Sequence, residues 1–523
     1  MVENTKDAAV STAKPGADDT KPVTPPWDPP PATTTTMTWA PGEGPESLEL
    51  SVTADWTVLR REESPAAEMF AVAYVLADQG PAERPVTFVF NGGPGASSAY
   101  LHVGAVGPRR VALPDDGSLP RAPIRLVDNA ESWVPFTDLV FVDPVGTGLS
   151  RPIPPADEAK PGAIAPTYWT YDQDLAAIRE FIGRWLSRHG RWGSPIYIAG
   201  ESYGGYRVAR LVRSLPADEG VGLAGALLIS PAIELGGLNY TDYALEPFID
   251  AVPTMAVGAF HHGRRRVDDG RKGPGDADAV IAEAAEFATG DYAAVLVRGA
   301  AADPDETIRV YDRLADLIGL ERDLVHRLHG RVPLDRWARE LLHDEGRVVG
   351  WYDVTQTAVD PFPDRPGYEG SEPTLFGPNP AFTMGINQLV RTELGIDTDR
   401  RYELLSFKIN TTWSTDDGHH AFRGPPGAAD DLRNGLTLDP HLRAMIVHGR
   451  HDLVTPVRST ERLIDLMRLA PATAERVETH RYDGGHMFYA IAASREAFAA
   501  DVAAFYRGDD ADEPRRRGLR RRR

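Results

Sequence analysis

The sequence predicts an α/β fold in which a mostly parallel central sheet is flanked by helices and carries an inserted, mainly helical cap. Short buried apolar runs alternate with amphipathic stretches before residue 234 and again after residue 440, which is typical of strands joined by crossover helices. Between these regions, short helical stretches alternate with loops rich in proline and glycine. Three polar motifs directly follow strand-like runs, where the carboxyl edge of a parallel sheet places functional loops.

The strands and helices of the first half can be assigned in order. The strand-like runs in the first 150 residues are 56–60, 71–76, 86–90 and 138–143. Residues 172–186 carry apolar side chains at helical spacing, which predicts a helix with one buried face. Two further buried strands are expected at 195–199 and 223–230. Strands and helices therefore alternate as a parallel sheet requires.

The domain organisation follows from changes in composition. We predict a disordered N-terminal segment at 1–37, rich in proline, threonine and charge, and a disordered arginine-rich tail at 509–523. The predicted ordered parts are the first half of the core at 38–233, the helical cap at 234–440 and the second half of the core at 441–508. Caps of this kind shape the substrate pocket and limit the access of water.

A Gly-x-Ser-x-Gly motif at residues 200–204 marks the first candidate catalytic residue, Ser202. It follows the buried run at 195–199 and precedes an amphipathic stretch at 206–215, so it lies on a turn between a strand and a helix. Such a turn holds a serine hydroxyl clear of the sheet, and the flanking glycines remove side chains that would collide there. Because the motif alone also occurs by chance, the prediction of a nucleophile depends on its partners.

Two partners follow in the order that the α/β-hydrolase arrangement requires. Asp452 lies three residues after the buried run 443–449, and His486 follows the strand-like run 478–482. The order Ser, Asp, His along the chain, with each residue at a strand end, predicts a catalytic triad. Taken singly, Asp452 is also compatible with a helix N-cap, and His486 with a hydrogen-bonded loop residue.

A glycine-rich turn supplies the expected oxyanion hole. Residues 91–98 follow the strand-like run 86–90 and begin Asn-Gly-Gly-Pro-Gly. Consecutive glycines let backbone N–H groups approach the negative charge that develops during acyl transfer. Phosphate binding is a poor alternative, because no Lys-Ser/Thr pair follows and the glycine spacing does not fit a dinucleotide loop.

Four motifs together resemble the serine carboxypeptidases of peptidase family S10. They are Asn-Gly-Gly-Pro-Gly at 91–95, Asp-Pro-Val-Gly-Thr-Gly-Leu-Ser at 143–150, Gly-Glu-Ser-Tyr-Gly-Gly at 200–205 and Gly-Gly-His-Met at 484–487. The resemblance covers about residues 50–235 and 440–505. It implies that the N–H groups of Gly93 and Tyr203 form the oxyanion hole. It also implies that Asn91, the Gly92 N–H and Glu201 bind the free carboxylate at the C-terminus of a peptide.

The expected function is therefore hydrolysis of the C-terminal peptide bond of peptides. Ser202 attacks the carbonyl, His486 acts as the base, Asp452 orients the imidazole, and an acyl-enzyme forms. Two alternatives remain. One is a different acyl-transfer enzyme on the same core: an acyltransferase, an esterase or a prolyl-type aminopeptidase, although the last group has histidine where this chain has Asn91. The other is a binding protein with a decayed site.

The chain departs from the resembled family at two positions. Eukaryotic members carry a second glutamate that shares a proton with the counterpart of Glu201, and Ala105 occupies that position here. Ala96 replaces the cysteine that usually follows Asn-Gly-Gly-Pro-Gly. A glutamate beside a substrate carboxylate binds it well only when one of the two is protonated. Without its partner, Glu201 is expected to move the acidic pH optimum of the family towards neutral.

Composition bounds the remaining classes of function. The 523 residues carry a net charge of −20, which favours solubility and argues against nucleic acid as a partner. No apolar run is long enough to cross a bilayer, and residues 1–37 lack the apolar core of a secretory signal. Cysteine is absent, so disulfides are excluded. We expect a cytoplasmic enzyme of the bacterial type that acts on peptide substrates and has no membrane partner.

No cofactor or metal ion is expected. The adjacent histidines at 261–262 and 419–420 point in different directions within each pair and lack a second set of ligands at fitting spacing. Trp351 and Tyr352 either line the pocket or pack within the cap, and packing is the simpler interpretation. The resemblance also allows a homodimer, a state that is common among the family.

Overall fold

The computed structural model describes residues 29–41, 47–61, 64–77, 84–118, 120–153, 168–266, 276–365, 367–414 and 427–508. The predictions for residues 1–28, for the tail at 509–523 and for the histidine pair at 419–420 fall outside the described residues.

Fourteen strands lie in these ranges. They are β1 (Thr33–Trp39), β2 (Leu48–Arg61), β3 (Ser64–Leu76), β4 (Val86–Phe90), β5 (Arg109–Val111), β6 (Leu126–Asp128), β7 (Asp138–Val142), β8 (Arg151–Pro152), β9 (Ile196–Glu201), β10 (Gly225–Ile229), β11 (Arg347–Val349), β12 (Thr357–Val359), β13 (Arg443–Gly449) and β14 (Val477–Tyr482).

Sixteen α-helices accompany them in the same part of the chain. They are α1 (Ala99–Leu101), α2 (Tyr171–His189), α3 (Tyr203–Ser214), α4 (Glu246–His261), α5 (Ala277–Phe287), α6 (Ala293–Arg298), α7 (Pro304–Ile318), α8 (Arg322–Arg327), α9 (Leu334–Glu340), α10 (Pro373–Phe376), α11 (Pro378–Asn387), α12 (Phe407–Thr412), α13 (Ala429–Leu438), α14 (Val457–Met467), α15 (Pro471–Ala474) and α16 (Ala492–Arg507).

The central sheet has the order β1-β2-β3-β7-β4-β9-β10-β13-β14, with β8 paired to β3. The six strands from β7 to β14 in this order pair in parallel, and the remaining pairs are antiparallel. Every residue of β4, β7, β9 and β10 is buried, as expected for parallel strands covered by helices on both faces. The prediction of an α/β fold with a mostly parallel sheet is confirmed.

The first strand corrects the predicted extent of N-terminal disorder. Residues 33–37 belong to β1, although the composition of the segment 1–37 favoured disorder. Threonine is β-branched and fits a pleated strand, and β1 pairs with β2 from Thr33, opposite Ala54, to Trp39, opposite Leu48. Trp39 anchors the strand, because its ring is buried and its Nε1 donates to the carbonyl of Asn129 at 2.9 Å.

The predicted helix at 172–186 is present as α2 and packs its apolar face against the sheet. The Thr170 side chain caps its first turn, and Gly190, in the left-handed conformation, ends it. The apolar residues that predicted it are all buried in one core cluster: Leu175, Ile178, Phe181, Ile182, Trp185 and Leu186.

The region between β10 and β13 divides into two parts by its packing. Side chains of α4 to α9 share a hydrophobic cluster that includes Tyr292 and Trp337 and is joined by Leu453 from the loop after β13. In contrast, Phe382 of α11 packs into one core cluster of the sheet, and Leu432 of α13 packs into the other. The predicted domain boundaries at 233/234 and 440/441 stay a prediction. None of the helices in the described ranges combines the length and apolarity needed to cross a membrane.

Candidate active site

Ser202 occupies the sharp turn between β9 and α3. Its backbone has φ 61° and ψ −123°, a conformation that is strained for a residue with a side chain. The turn closes tightly, because a Cβ at Gly200 would lie 2.2 Å from the Gly204 carbonyl oxygen. The Ser202 N–H donates to the carbonyl of Ile229 at 2.9 Å, which fixes the turn to the neighbouring strand. This is the geometry of a nucleophile at the carboxyl edge of the sheet.

Asp452 and His486 meet at the same edge of the sheet, on the loops after β13 and β14. The Nδ1 atom of His486 lies 2.7 Å from Oδ2 of Asp452. The other carboxylate oxygen accepts the N–H groups of Val454 at 2.9 Å and Thr455 at 3.0 Å. Asp452 therefore caps a turn and not the helix α14, which begins at Val457. With Nδ1 turned to the carboxylate, Nε2 is the ring nitrogen available to a serine proton.

The side chain of Thr455 completes the support of this pair. Its hydroxyl lies 2.6 Å from Oδ2 of Asp452 and 3.2 Å from Nδ1 of His486. All three side chains are buried. Burial lowers the pKa of His486, but the charge and hydrogen bond of Asp452, with smaller contributions from two glutamates, outweigh it and raise the pKa. The same interactions favour the imidazolium form of His486 over the neutral imidazole.

A segment at residues 351–354, from the region between β10 and β13, holds both catalytic loops. The Tyr352 carbonyl accepts the N–H of His486, and the Trp351 carbonyl accepts the N–H of Leu453 at 3.0 Å. Asp353 accepts the N–H of Gly485 at 2.9 Å. The Tyr352 ring meets the His486 imidazole edge-on, with centroids 5.2 Å apart.

One cavity joins the predicted catalytic and carboxylate-binding residues. It has a volume of about 60 Å³ and is lined by Asn91, Gly92, Gly93, Ala96, Tyr100, Glu201, Ser202, Tyr352, Leu375, Leu405, His486 and Met487. The interpretation of Tyr352 as a packing residue was wrong, because its side chain forms part of this wall. Since Ser202 and His486 share the cavity, a carbonyl placed there is accessible to both.

The glycine-rich turn after β4 lies directly against the N-terminus of α3. A Cβ at Gly92 would lie 2.4 Å from the backbone nitrogen of Tyr203, so only glycine permits this approach. Tyr203 is the first residue of α3, where an N–H has no partner within the helix and the helix dipole favours negative charge. Gly93 lines the cavity beside it. The two predicted oxyanion residues are thus brought to one place.

Buried charges fix this turn in position. Arg207 of α3 donates to the carbonyl of Asn91 and forms two hydrogen bonds with Asp174 of α2, at 2.7 and 3.0 Å. All three residues are buried. The oxyanion turn, the nucleophile helix and α2 are therefore tied together by one guanidinium group.

Glu201 lies next to the nucleophile with its carboxyl group buried. One oxygen accepts a hydrogen bond from the Asn91 amide, and the Tyr489 hydroxyl lies 2.9 and 3.0 Å from the two oxygens. The carbonyl oxygen of the Asn91 side chain accepts the Leu101 N–H at 3.0 Å, which fixes the orientation of the amide. Burial raises the pKa of Glu201 from 4.5 to about 7, against the lowering effects of His486 and of these hydrogen bonds. This carboxyl is therefore largely neutral in mildly acidic solution.

Residues 47–239 match the serine carboxypeptidase family. The match includes the oxyanion turn and the nucleophile turn, while Asp452 and His486 lie beyond it. Serine carboxypeptidase-like 8 of Arabidopsis thaliana is 32% identical over 151 residues, which are 28% of this chain and 31% of that protein. Serine carboxypeptidase-like 13 of the same plant is 32% identical over 164 residues, 30% of this chain and 35% of that protein. The chain thus matches these curated relatives over about a third of their length.

A solved carboxypeptidase shares the fold. The structure of Kex1Δp, a prohormone-processing carboxypeptidase from Saccharomyces cerevisiae, superposes with a TM-score of 0.57 at 15% sequence identity. The superposition covers 88% of this chain and 92% of the yeast chain. Together with the sheet order and the nucleophile turn, this confirms the α/β-hydrolase fold.

The turn that contains Ala105 lies against the ring of Tyr489, whose hydroxyl contacts Glu201. Ala105 is buried in a π-helical turn at His102–Val106, and the ring of Tyr489 packs against this turn near Gly104. Tyr489 was not predicted from the sequence, although it lies only three residues after His486. Asp353 was not predicted either, because its contact with Gly485 spans 132 residues and leaves no local signal.

Replacement of Glu201 by glutamine is expected to change how stability depends on pH. Because the folded-state pKa is raised from 4.5 to about 7, wild-type protein loses stability as the pH rises through this range. A variant with a neutral glutamine at this position does not lose this stability, because the side chain does not ionise. The free energy of unfolding of Glu201→Gln relative to wild type should therefore increase by about 3 kcal/mol between pH 4 and pH 8. Urea unfolding at both pH values measures it, with Glu475→Gln at an exposed position as the control. A relative stability that stays constant with pH would contradict the assignment.

Proposed function

We propose that this protein is a serine carboxypeptidase that removes the C-terminal residue of peptides through an acyl-enzyme. The observation that carries the proposal is the buried pair of Glu201 and Asn91, which share one small cavity with Ser202 and His486. A carboxyl group of raised pKa is of no use to an ordinary esterase. It suits a site that binds the terminal carboxylate of the substrate.

Acylation follows from the geometry of the triad. His486 accepts the proton of Ser202 at Nε2 as the hydroxyl oxygen attacks the last peptide carbonyl, and Asp452 stabilises the imidazolium. The carbonyl oxygen becomes an alkoxide and is bound by the N–H groups of Gly93 and Tyr203. These donors are fixed by the backbone before the reaction, so little reorganisation accompanies the development of charge.

Acylation is completed when the C–N bond breaks as His486 gives its proton to the amine, so that the free amino acid leaves and the acyl-enzyme remains. Deacylation then uses the same groups, with water in place of the amine. Water then enters, gives a proton to His486 and attacks the ester, and the proton finally returns to the Ser202 oxygen. The peptide, shortened by one residue, is released.

The protonation state of Glu201 controls how well the terminal carboxylate of the substrate is bound. When neutral, Glu201 donates its own proton in a hydrogen bond to the substrate carboxylate, and the second N–H of the Asn91 amide and the Gly92 N–H add further donors. When ionised, Glu201 repels the substrate. Binding of the carboxylate is thus strongest below a pH of about 7, the pKa of Glu201.

The decisive experiment compares three peptide substrates that differ only at their ends, and adds aryl esters and an alcohol acceptor as tests of other acyl transfer. The three peptides are an N-blocked dipeptide with a free carboxylate, its C-terminal amide, and the dipeptide with a free amine and a blocked carboxylate. Release of an amino acid from the first alone supports the proposal. Release from the third indicates an aminopeptidase. Cleavage of aryl esters or transfer of the acyl group to an alcohol, without peptide hydrolysis, indicates a different acyl-transfer enzyme.

The pH dependence of Glu201→Gln tests the recognition step. Wild-type kcat/KM for the free-carboxylate dipeptide should fall above pH 7, as Glu201 loses its proton. Glutamine donates a hydrogen bond at every pH, so the variant should show no such fall. An N-blocked amino-acid aryl ester, which has no carboxylate, serves as the control substrate. Its kcat/KM should not depend on the ionisation of Glu201. A fall that persists in the variant would remove Glu201 from substrate recognition.

We further propose that the enzyme is of the bacterial type, is free of disulfides and works in the cytoplasm. The absence of cysteine from all 523 residues supports this, because serine carboxypeptidases of secretory compartments are typically disulfide-bonded. Cell fractionation of the native host tests the location. The oligomeric state, for which the family resemblance allows a homodimer, is measured by sedimentation.

A further inference from the structure

Tyr489 is fully buried, and its hydroxyl contacts both oxygens of Glu201, one of the residues that line the cavity. Its main chain is fixed as well, because Arg495 donates to the Tyr489 carbonyl at 3.0 Å and forms an ion pair with Glu131 at 3.2 Å. The ring packs against the turn at His102–Val106, and a Cβ at Gly104 would lie 3.2 Å from it. The hydroxyl is therefore held in place from three sides and has little freedom to turn elsewhere.

We infer that Tyr489 is a positioning residue for the substrate carboxylate: its hydroxyl holds the Glu201 carboxyl beside Asn91 and sets the pH above which a free C-terminus is no longer bound. This inference rests on the proposed function. It adds a residue that none of the sequence motifs contains.

The chemistry of the contact gives the direction of the effect. A phenol O–H donates to a carboxylate more strongly than to the neutral acid, so Tyr489 favours ionised Glu201 and lowers its pKa. Burial acts in the opposite direction and is the larger effect. Without the hydroxyl, burial would raise the pKa of Glu201 still further. Tyr489 thus partly offsets the increase in the pKa of Glu201 that burial causes.

Other charged and titratable groups also face Glu201 and must be held constant in a test. They are His486, which lowers its pKa, Asp452, which raises it, and the hydroxyls of Tyr100 and Tyr352, which interact with it through space. Among these, Tyr100 donates to Asn379 at 2.8 Å rather than to Glu201. Because Glu201 and His486 interact, their titrations are coupled, and a substrate without a carboxylate is needed to separate them.

The test is the variant Tyr489→Phe, which removes only the hydroxyl. For the free-carboxylate dipeptide, the pH at which kcat/KM falls should move upward by about one unit, the scale expected for loss of one hydrogen bond to a charged group. For the aryl ester the profile should not move. If kcat/KM for the dipeptide falls at the same pH in the variant as in wild type, the inference is overturned. A tyrosine with only a structural role would lower the activity equally at every pH.

A matched control removes the same group elsewhere. The Tyr482 hydroxyl also donates to a carboxylate, Asp501, at 2.9 Å, but Asp501, unlike Glu201, does not line the cavity. Tyr482→Phe should leave the pH profile of the dipeptide where it is in wild type. If it moves the profile as Tyr489→Phe does, the effect is not specific to Glu201 and the inference fails.

A second readout does not need activity. The infrared carbonyl band of protonated Glu201, identified as the band lost in Glu201→Gln, can be titrated directly in each protein. Its midpoint should lie about one unit higher in Tyr489→Phe than in wild type. If wild type cleaves no free-carboxylate peptide but the midpoint shifts, the proposed function fails while the contact stands. If the midpoint does not shift, the inference fails regardless of activity.

Discussion

Replacement of Ser202 by alanine is expected to lower kcat for the free-carboxylate dipeptide by about a million-fold, close to the loss seen when a serine nucleophile is removed from a triad. The reason is that Ser202 alone, among the described residues that line the cavity shared with His486, has its hydroxyl held at a strained strand-to-helix turn. The other lining residues with hydroxyls are Tyr100 and Tyr352, and neither lies on that turn. Steady-state hydrolysis measures the loss, and a fluorophosphonate should label wild type but not the variant.

The control for this variant is Ser214→Ala, at the far end of the same helix. The Ser214 hydroxyl bonds only to the carbonyl of Arg210 within α3, so its loss should leave kcat unchanged. The double variant Ser202→Ala with His486→Ala should be no slower than either single variant, because the two residues act as a unit. Wild-type labelling of Ser202→Ala would show that the nucleophile lies elsewhere.

Replacement of Gly92 by alanine is expected to abolish measurable activity although it adds a single methyl group. The new Cβ would lie 2.4 Å from the Tyr203 nitrogen and 2.7 Å from the Glu201 carbonyl oxygen. Both atoms belong to the backbone, so relief requires the oxyanion turn and α3 to move apart. Loss of one oxyanion donor alone lowers kcat by a factor of about 100 to 1,000. A shift of α3 would also misalign Ser202, and this would lower kcat further.

A glycine with open space around it provides the comparison. Gly236 lies at an exposed position where an added Cβ meets no atom within 4 Å, so Gly236→Ala should be fully active. Urea unfolding separates a local effect from a global one. Wild-type kcat in Gly92→Ala would contradict the close approach of the two turns.

The sequence was sufficient to predict those parts of the site that depend on local geometry. A nucleophile turn needs small residues on both sides of Ser202, and this requirement is visible over five positions. Asp452 and His486 could be placed at the edge of the sheet because each lies within four residues of the end of a strand, β13 for Asp452 and β14 for His486. The fold class was predictable for the same reason, since alternating strands and helices restrict the sheet to few arrangements.

The remaining parts of the site depend on packing between distant segments. Nothing around Asp353 indicates that its carboxylate accepts the Gly485 N–H. Tyr352 could not be assigned, because a tyrosine in a helical insert packs and lines pockets equally well. Glu201 was predicted to lack a carboxylate partner, but its contact with the Tyr489 hydroxyl could not be predicted, because it depends on how the loop after His486 turns back. The early strand β1 was missed because a segment rich in threonine and proline suggests disorder until a partner strand is present.

The contacts of residues 351–354 have a consequence for how proteins with this arrangement can diversify. The insert is free to change where it forms a separate helical cluster, but the short piece at 351–354 supplies main-chain bonds to both the acid loop and the base loop. An insert transplanted from another hydrolase would therefore give a new pocket. Unless residues 351–354 were kept, it would also remove the main-chain hydrogen bond that holds His486. The same insert thus shapes the pocket and holds the acid and base loops through a few peptide groups. Selection for a new substrate therefore also acts on the position of the catalytic residues.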